Sequence, residues 1–254
     1  MPSKLPLAGK TIVLTGSTKT QSIIEQIEEN GGTVAVFPLI QTVEILAEDD
    51  AEQLRAAVTY DWLIFTSQNA VEAFVAKMKR AQIHANSFRC KIAAVGTKTA
   101  AVLEEAGFSV HFMPSIFSAD VFVKEFPIVA GKSPNCLFFR GSLAKATLKE
   151  GLPFKIDEWT VYETVANTDY VAPFKELLQR TTAVVIFASP SAVTTFQEHI
   201  VSIVGWDNVK PAAIGHITAA AIERCGGHVY VMPNTYTMEA LLEELVKLEE
   251  VQHD

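Results

Sequence analysis

Four short turns carry the side chains that could bind a ligand or assist a reaction. They are residues 66–69 (TSQN), 188–191 (ASPS), 96–99 (GTKT) and 215–218 (GHIT), and each lies between a predicted strand and a predicted helix. Ligands of open α/β sheets bind beyond the carboxyl ends of strands, and the free N–H groups that begin a helix favour anions. Ser, Thr and Asn at a helix start are also the usual caps. Each turn therefore predicts a cap, a ligand contact or both.

Three further side chains belong to this first group of candidates. Tyr162 lies in an extended segment, where it is either an ordinary strand tyrosine or a residue near a domain seam. Arg140 ends an apolar strand at a similar turn and is either an anion ligand or a surface charge, and Lys98 adds a second cation. Phosphate-binding fingerprints, zinc-protease motifs and serine-hydrolase motifs are missing, so we expect neither a metal nor a nucleotide cofactor. The three cysteines are widely spaced, which favours reduced, buried thiols.

An internal repeat relates these turns to one another. Residues 92–114 align without a gap to residues 211–233, and 11 of the 23 positions are identical, where chance gives about one or two. Residues 64–74 match 186–196 in the same way, and IVLTGS from Ile12 matches LFFRGS from Leu137. The 254 residues therefore contain one ancestral unit twice. Two similar halves predict a cleft, where small ligands usually bind.

The elements that position the turns alternate along the chain. Short apolar, β-branched runs are followed by a polar turn, a helical pattern and a glycine at 62–80, 92–107, 136–151, 184–200 and 212–227. Strands are expected again at 34–37, 110–113 and 229–232. This alternation predicts an α/β fold with mostly parallel sheets.

Two extended segments, 33–46 and 155–168, are longer than ordinary strands, and Pro38 predicts a bend in the first. If both cross between domains, the N-terminal unit folds with the C-terminal half. A simple tandem with a linker at 131–135 remains open at this point.

Composition limits the partners. Hydrophobic residues make up 49% of the chain and the formal net charge is −8, so we expect buried cores and neither nucleic acid nor an anionic membrane as partner. The N-terminal residues lack the apolar run of a signal peptide, and no apolar stretch approaches the roughly 18 residues of a membrane span. We expect a soluble, cytoplasmic protein.

In order and spacing, several motifs together resemble the uroporphyrinogen-III synthase family. They are YDWLIFTSQNAVEAF, KIAAVGTKTAAVLEEAG, VYETV, AAIGHITAAAIERCGG and TMEALLEEL. The resemblance implies a monomeric hydro-lyase of porphyrin and heme biosynthesis without metal or cofactor. Its reaction cyclises hydroxymethylbilane, a linear tetrapyrrole, to uroporphyrinogen III with loss of water and inversion of ring D.

The resemblance also implies an architecture and a set of site residues. It favours the crossover: 1–37 with 166–254 as one α/β domain, 42–161 as the second, 38–41 and 162–165 as a two-stranded connector, and the active site in the interdomain cleft. Tyr162 matches the tyrosine of the V-Y-x-T motif and is the implied proton donor. The residues implied to bind substrate are Thr99 and Thr218 of the G-x-x-T turns, Ser67, Asn69, Ser189 and Ser191. Arg140 remains a candidate anion ligand, on the basis of the residue pattern alone.

Two other classes of function stay in view. A two-lobed protein that binds a small polyanion without catalysis would share the same pattern, although such solute binders usually carry an export signal. A flavodoxin-like or Rossmann oxidoreductase would share the alternation of strands and helices, but the missing phosphate fingerprint counts against it.

Overall fold

Strands form in the chain where β-branched and aromatic residues predominate. All five residues of Ala183–Phe187 (AVVIF) and all four of Trp62–Phe65 (WLIF) are buried. The computed structural model describes residues 5–16 and 21–251. The strands of this part of the chain are β1 (Thr11–Leu14), β2 (Thr33–Val36), β3 (Ile40–Glu44), β4 (Trp62–Phe65), β5 (Lys91–Ala94), β6 (Cys136–Gly141), β7 (Asp157–Ala166), β8 (Ala183–Phe187) and β9 (Val209–Ala213).

Helices follow most strands. They are α1 (Gln21–Glu29), α2 (Asp50–Ala57), α3 (Gln68–Ala81), α4 (Thr97–Glu105), α5 (Ala119–Ala130), α6 (Thr147–Gly151), α7 (Val171–Arg180), α8 (Pro190–Phe196), α9 (Ser202–Val204), α10 (His216–Arg224) and α11 (Met238–Val251). A glycine lies at or near the end of α1, α4, α5, α6, α9 and α10. A 3-10 turn (Ala85–Ser87) and a π-helical turn (Gln197–Val201) complete the described helical segments. None of these helices is both long enough and apolar enough to cross a bilayer.

The strands form two sheets with matching order. One runs β2-β1-β8-β9, and the other runs β3-β7-β6-β4-β5. Neighbours are parallel within β2-β1-β8-β9 and within β7-β6-β4-β5. The repeat pairs β1 with β6, β8 with β4 and β9 with β5, so β2-β1-β8-β9 corresponds to β7-β6-β4-β5, and β3 is an additional strand at the edge of the second sheet. The predicted duplicated α/β fold is confirmed.

Each sheet carries a core on both faces, because successive side chains of a strand point to opposite sides. In β8, Val185 and Phe187 join one cluster while Val184 and Ile186 join another. In β4, the same alternation sends Leu63 and Phe65 to one cluster and Trp62 and Ile64 to the other. Helices cover both faces, which leaves the strand ends as the places where the chain can approach a ligand.

Contacts divide the chain into two units. Unit 2 is Thr42–Thr164, and unit 1 comprises the described residues up to Gln41 and from Val165 onward. Residues 131–135, the linker of a tandem arrangement, lie inside unit 2 between α5 and β6. The finer boundaries predicted from the sequence, with connectors at 38–41 and 162–165, stay a prediction.

The long extended segments behave differently from each other. The first divides into β2 and β3 on either side of Pro38, as the bend predicted, whereas β7 continues for 10 residues. The strands predicted at 110–113 and 229–232 are wrong, because each contributes a single parallel bridge, through Phe112 and Val231. Proline follows two residues later in both copies and has no N–H to extend the ladder.

Candidate active site

Ser67 begins helix α3 directly after β4. Its backbone is extended (φ −148°, ψ 152°), and its Oγ accepts a hydrogen bond from the Ala70 N–H at 3.2 Å. The same Oγ lies 3.2 Å from the hydroxyl oxygen of Tyr162. Ser67 is therefore a helix cap that also contacts the predicted proton donor.

Tyr162 reaches this position because of its neighbour on β6. The register of β6 against β7 shifts between Arg140 and Gly141, which places Gly141 opposite Tyr162. A Cβ built on Gly141 would lie 2.6 Å from both Cε2 and the hydroxyl oxygen of Tyr162. Only a residue without a side chain leaves room for the ring, so Gly141 and Ser67 together fix the phenol.

A pocket of about 230 Å³ opens beside Tyr162 within unit 2. Its lining residues are Thr42, Glu44, Asn69, Glu72, Ala73, Ala76 and Tyr162. Glu44 is also paired with Arg80 and with the buried Lys77. The structure thus brings three predicted residues together: Ser67, Asn69 and Tyr162.

Arg140 has partners inside its own unit. Its guanidinium is ion-paired with Glu158 and donates to the carbonyl of Ala144, while Lys149 reaches the other carboxylate oxygen of Glu158 at 3.0 Å. Burial raises the pKa of Glu158, but hydrogen bonds from Lys149 and Arg140 outweigh burial, so its pKa lies below the usual range. The role of Arg140 as a substrate ligand stays a prediction.

Thr99 and Thr218 occupy equivalent places in the first turns of α4 and α10. They are 5% and 4% exposed. The residues before these helices, Gly96 and Gly215, have no side chain with which to cap the first N–H groups. The two threonines are buried within these turns. The first backbone N–H groups of α4 and α10 receive no side-chain cap from the preceding glycine and can donate to another acceptor.

The serine turn of unit 1 repeats the cap of unit 2. Ser189 accepts from the Ala192 N–H at 3.3 Å, and its Oγ lies 3.0 Å from that of Ser191. Pro190 occupies the first helical position, where no N–H is needed. The two hydroxyls form one polar group at the end of β8.

Sequence reasoning missed three residues beside these turns. Gly141 packs against Tyr162, the ring of Tyr236 packs against Gly215, and the Cβ of Phe117 lies near Gly96; Phe117 and Tyr236 are both exposed. The signal for the aromatic pair was present, because the repeat continues past Pro114 and Pro233 and aligns the two rings.

The cysteines do not provide a nucleophile near this site. Burial raises the pKa of Cys90 to about 11, and burial together with Asp61 raises the pKa of Cys136 to about 12. Thiols with such values stay protonated near neutral pH and react slowly. Across residues 5–16 and 21–251, no three His, Cys, Asp or Glu side chains are grouped closely enough to hold a metal ion.

Fold and site together define a duplicated α/β protein whose polar turns stand at the carboxyl ends of parallel strands, with a tyrosine over a small pocket. The chain belongs to the uroporphyrinogen-III synthase (HemD) family, whose profile matches residues 21–243. The uroporphyrinogen-III synthase of Synechococcus elongatus is 30% identical, over 93% of this chain and 94% of that protein. That of Chlorobaculum parvum is 27% identical, over 89% and 94%.

Solved structures share the fold. The uroporphyrinogen-III synthetase of Helicobacter pylori has a TM-score of 0.64 at 20% identity, with 94% of this chain and 99% of that chain covered. A mutant of the Thermus thermophilus enzyme has a TM-score of 0.63 at 17% identity, with 96% and 99% covered. At these identities the likeness concerns the fold alone.

Proposed function

We propose that this protein is a uroporphyrinogen-III synthase, a hydro-lyase that cyclises hydroxymethylbilane to uroporphyrinogen III with loss of water and inversion of ring D. The observation that carries the proposal is the family match over residues 21–243, together with a relative of that name 30% identical over 93% of the chain. The non-catalytic polyanion binder is not favoured, because the relatives in question are synthases.

Tyr162 is the proposed proton donor for the leaving hydroxyl group. Because Ser67 Oγ already accepts the Ala70 N–H, its own proton is available to the oxygen of Tyr162, 3.2 Å away. The phenol proton is then left for the substrate in the pocket. A phenol can act as a general acid near neutral pH because it ionises only near pH 10.

The charges of the pocket fit the proposed intermediate. When the hydroxyl group leaves as water with the proton of Tyr162, the substrate becomes an azafulvenium cation and Tyr162 a phenolate. Two carboxylates also line the pocket, Glu72 and Glu44, of which Glu44 is paired with Lys77 and Arg80. Carboxylates favour a developing cation and disfavour the acidic side chains of the substrate. The pocket therefore suits the hydroxymethyl end of the bilane rather than its acetate and propionate arms.

The substrate carboxylates need other partners, because the protein has a formal net charge of −8. We assign them to the amides that begin α4 and α10 beside Thr99 and Thr218 and to the hydroxyl groups of Ser189 and Ser191. Ser67 and Asn69 are assigned instead to the hydroxymethyl end of the substrate, beside Tyr162. One exposed helix start contributes about 0.3–1 kcal/mol per anion. Even four helix starts therefore contribute only about 1–4 kcal/mol, at most half of the roughly 8 kcal/mol of micromolar binding, and hydrogen bonds from side chains must contribute the rest.

Catalysis is then mainly a matter of orientation. The bilane also closes unaided, without inverting ring D, so the protein must direct the substituted carbon of ring D to the reactive end. The proposal includes a monomeric protein that acts in the cytoplasm, with domain boundaries near 37–42 and 161–166.

One assay tests the function. Freshly prepared hydroxymethylbilane is incubated with the purified chain, and the oxidised porphyrin isomers are separated. The expected product is type III, well above the spontaneous type I background. A product mixture equal to that of the buffer alone would reject the synthase and leave the binding protein.

A further inference from the structure

Tyr236 holds an exposed aromatic ring over one of the polar turns. A Cβ built on Gly215 would lie 3.0 Å from Cγ and 3.1 Å from Cδ1 of Tyr236. The hydroxyl of Tyr236 is hydrogen-bonded to His216 Nδ1 at 2.9 Å. The ring is therefore fixed above the turn that joins β9 to α10, yet the residue is 54% exposed.

Phe117 occupies the equivalent position in unit 2. It follows Gly96 by 21 residues, as Tyr236 follows Gly215. Its Cβ lies 3.8 Å from a Cβ built on Gly96, and the residue is also 54% exposed. Each unit thus places an aromatic residue beside its own G-x-x-T turn with more than half of its surface in solvent.

The two copies have diverged around these rings. The preceding pairs, Ser115 with Asn234 and Ile116 with Thr235, differ in chemistry, whereas Phe117 and Tyr236 both remain aromatic. Aromatic side chains normally contribute to stability by burial, and an exposed ring forgoes most of that gain. A single exposed ring is ordinary in a protein surface, but an exposed aromatic residue at the same distance from the same turn in both copies fits a ligand that contacts both turns.

We propose that Phe117 and Tyr236 are stacking surfaces for pyrrole rings of the substrate, one in each unit. This inference rests on the proposed function, which supplies a chain of electron-rich, five-membered aromatic rings as the ligand. Such rings pack in offset or edge-on geometry against the face of Phe or Tyr. The polar turn beside each aromatic residue would then take the carboxylate arms of the same pyrrole.

The consequence concerns specificity as well as affinity. A pyrrole held on a fixed ring cannot rotate freely about its methylene bridges. Because the isomer formed depends on which carbon of ring D attacks, a looser hold lets more substrate close in the spontaneous, type I manner. Loss of a stacking surface should raise both KM and the type I fraction.

The test uses four variants and two matched controls. Phe117→Ala and Tyr236→Ala remove a ring, Phe117→Leu keeps apolar bulk without aromaticity, and Tyr236→Phe keeps the ring without the hydroxyl. Ile128→Ala and Ile203→Ala remove exposed apolar side chains of unit 2 and unit 1 that are 84% and 62% exposed. KM for hydroxymethylbilane, the type I to type III ratio and Tm are measured for each, and uroporphyrin III binding is measured by fluorescence titration.

We expect each alanine variant to raise KM about three- to tenfold and to increase the type I fraction, with Tm unchanged and the controls like the wild type. Phe117→Leu should resemble Phe117→Ala, and Tyr236→Phe should recover most of the affinity lost in Tyr236→Ala. Alanine variants within twofold of the wild type in KM, isomer ratio and porphyrin binding would overturn the inference. A wild-type protein that makes no type III isomer would reject the synthase function instead. The stacking role of Phe117 and Tyr236 would then be tested by uroporphyrin III binding alone, compared between the wild type and the alanine variants.

Discussion

Tyr162 is the residue on which the proposed proton transfer depends, and its hydroxyl oxygen lies 3.2 Å from Ser67 Oγ. Tyr162→Phe removes the donor and leaves the ring in place. Because orientation of the bilane supplies most of the catalysis, we expect kcat to fall about tenfold to a hundredfold, which is no more than the lower limit of about a hundredfold for an ordinary general acid. Tyr60→Phe, in the same unit and bonded to Asp157, is the matched control. A millionfold loss with folding intact would contradict the orientation mechanism.

Gly141 makes room for that ring, so a single methyl group there should act through Tyr162. Gly141→Ala places a carbon 2.6 Å from the phenol oxygen, and the ring must turn away. We expect kcat to fall to about the level of Tyr162→Phe. Gly16→Ala, at the equivalent position of the repeat, places its methyl group 3.9 Å from the Cβ of Ala188, an ordinary contact and the nearest among the described residues, and should retain kcat. In a Tyr162→Ala background, Gly141→Ala should cost nothing more, and a further loss would assign its effect to the strand itself.

A substitution of Arg140 can distinguish a role in the ion pair with Glu158 from a role in substrate binding. It and Glu158 are 18% and 14% exposed, so Arg140→Met leaves a largely buried carboxylate with Lys149 alone. We expect the free energy of unfolding to fall by about 1–3 kcal/mol, measured by urea denaturation, with KM within twofold of the wild type. Lys149→Met, which removes a cation that is 63% exposed, should change both quantities less. A large rise in KM at unchanged stability would make Arg140 a substrate ligand.

At the scale of elements, two serine caps can be compared. The comparison separates the loss of stability caused by an uncapped helix from the loss of kcat caused by a missing hydrogen bond to Tyr162. Ser67 caps α3 and Ser118 caps α5 through the N–H three residues later, but of these two bonds only that of Ser67 adjoins Tyr162. Both Ser→Ala changes should lower the free energy of unfolding by about 1 kcal/mol. Ser67→Ala alone should also lower kcat, because the phenol loses its hydrogen-bond partner. Equal kcat values in the two variants would show that Ser67 is a cap and nothing more.

The elements themselves could largely be read from the sequence, because the repeat presents each pattern twice. The polar turns, the caps at Ser67 and Ser189 and the break at Pro38 follow from local residue types. The single bridges at 110–113 and 229–232 could not be predicted in this way. The following prolines limit the pairing of these segments, but this effect can be recognised only when the neighbouring strand is known. The contacts of Tyr162 with Gly141 and of Arg140 with Glu158 join residues about 20 positions apart on adjacent strands. The first contact depends on a register shift after Arg140 that no residue pattern predicts, and the second depends on the pairing of β6 with β7.

At the scale of the whole molecule, unit 2 contains three groups with raised pKa values that should make it sensitive to alkali. Tyr60, Cys90 and Cys136 all lie in unit 2, and burial raises their pKa values to about 12, 11 and 12, assisted by Asp157 for Tyr60 and by Asp61 for Cys136. A group whose pKa is raised in the folded state contributes stability that is complete below its unfolded pKa and disappears as the pH rises through the folded value. Unfolded thiols and phenols ionise near 8.5 and 10. Unit 2 should therefore lose stability between about pH 8.5 and pH 12.

The three tryptophans let each unit be followed by itself. Trp62 and Trp159 are buried in unit 2, whereas Trp206 packs in the core of unit 1. In a Trp206→Phe variant, fluorescence during urea titrations reports on unit 2 alone, and its midpoint should fall steadily from pH 8.5 upward. Adding Cys136→Ala should make the midpoint fall less steeply with pH, because this variant lacks a thiol that ionises more readily in the unfolded chain. Cys225→Ala removes a thiol of unit 1 and should leave the midpoint of unit 2 unchanged. A midpoint in unit 2 that stays constant up to pH 11 would mean that these buried groups ionise as readily in the folded chain as in the unfolded one.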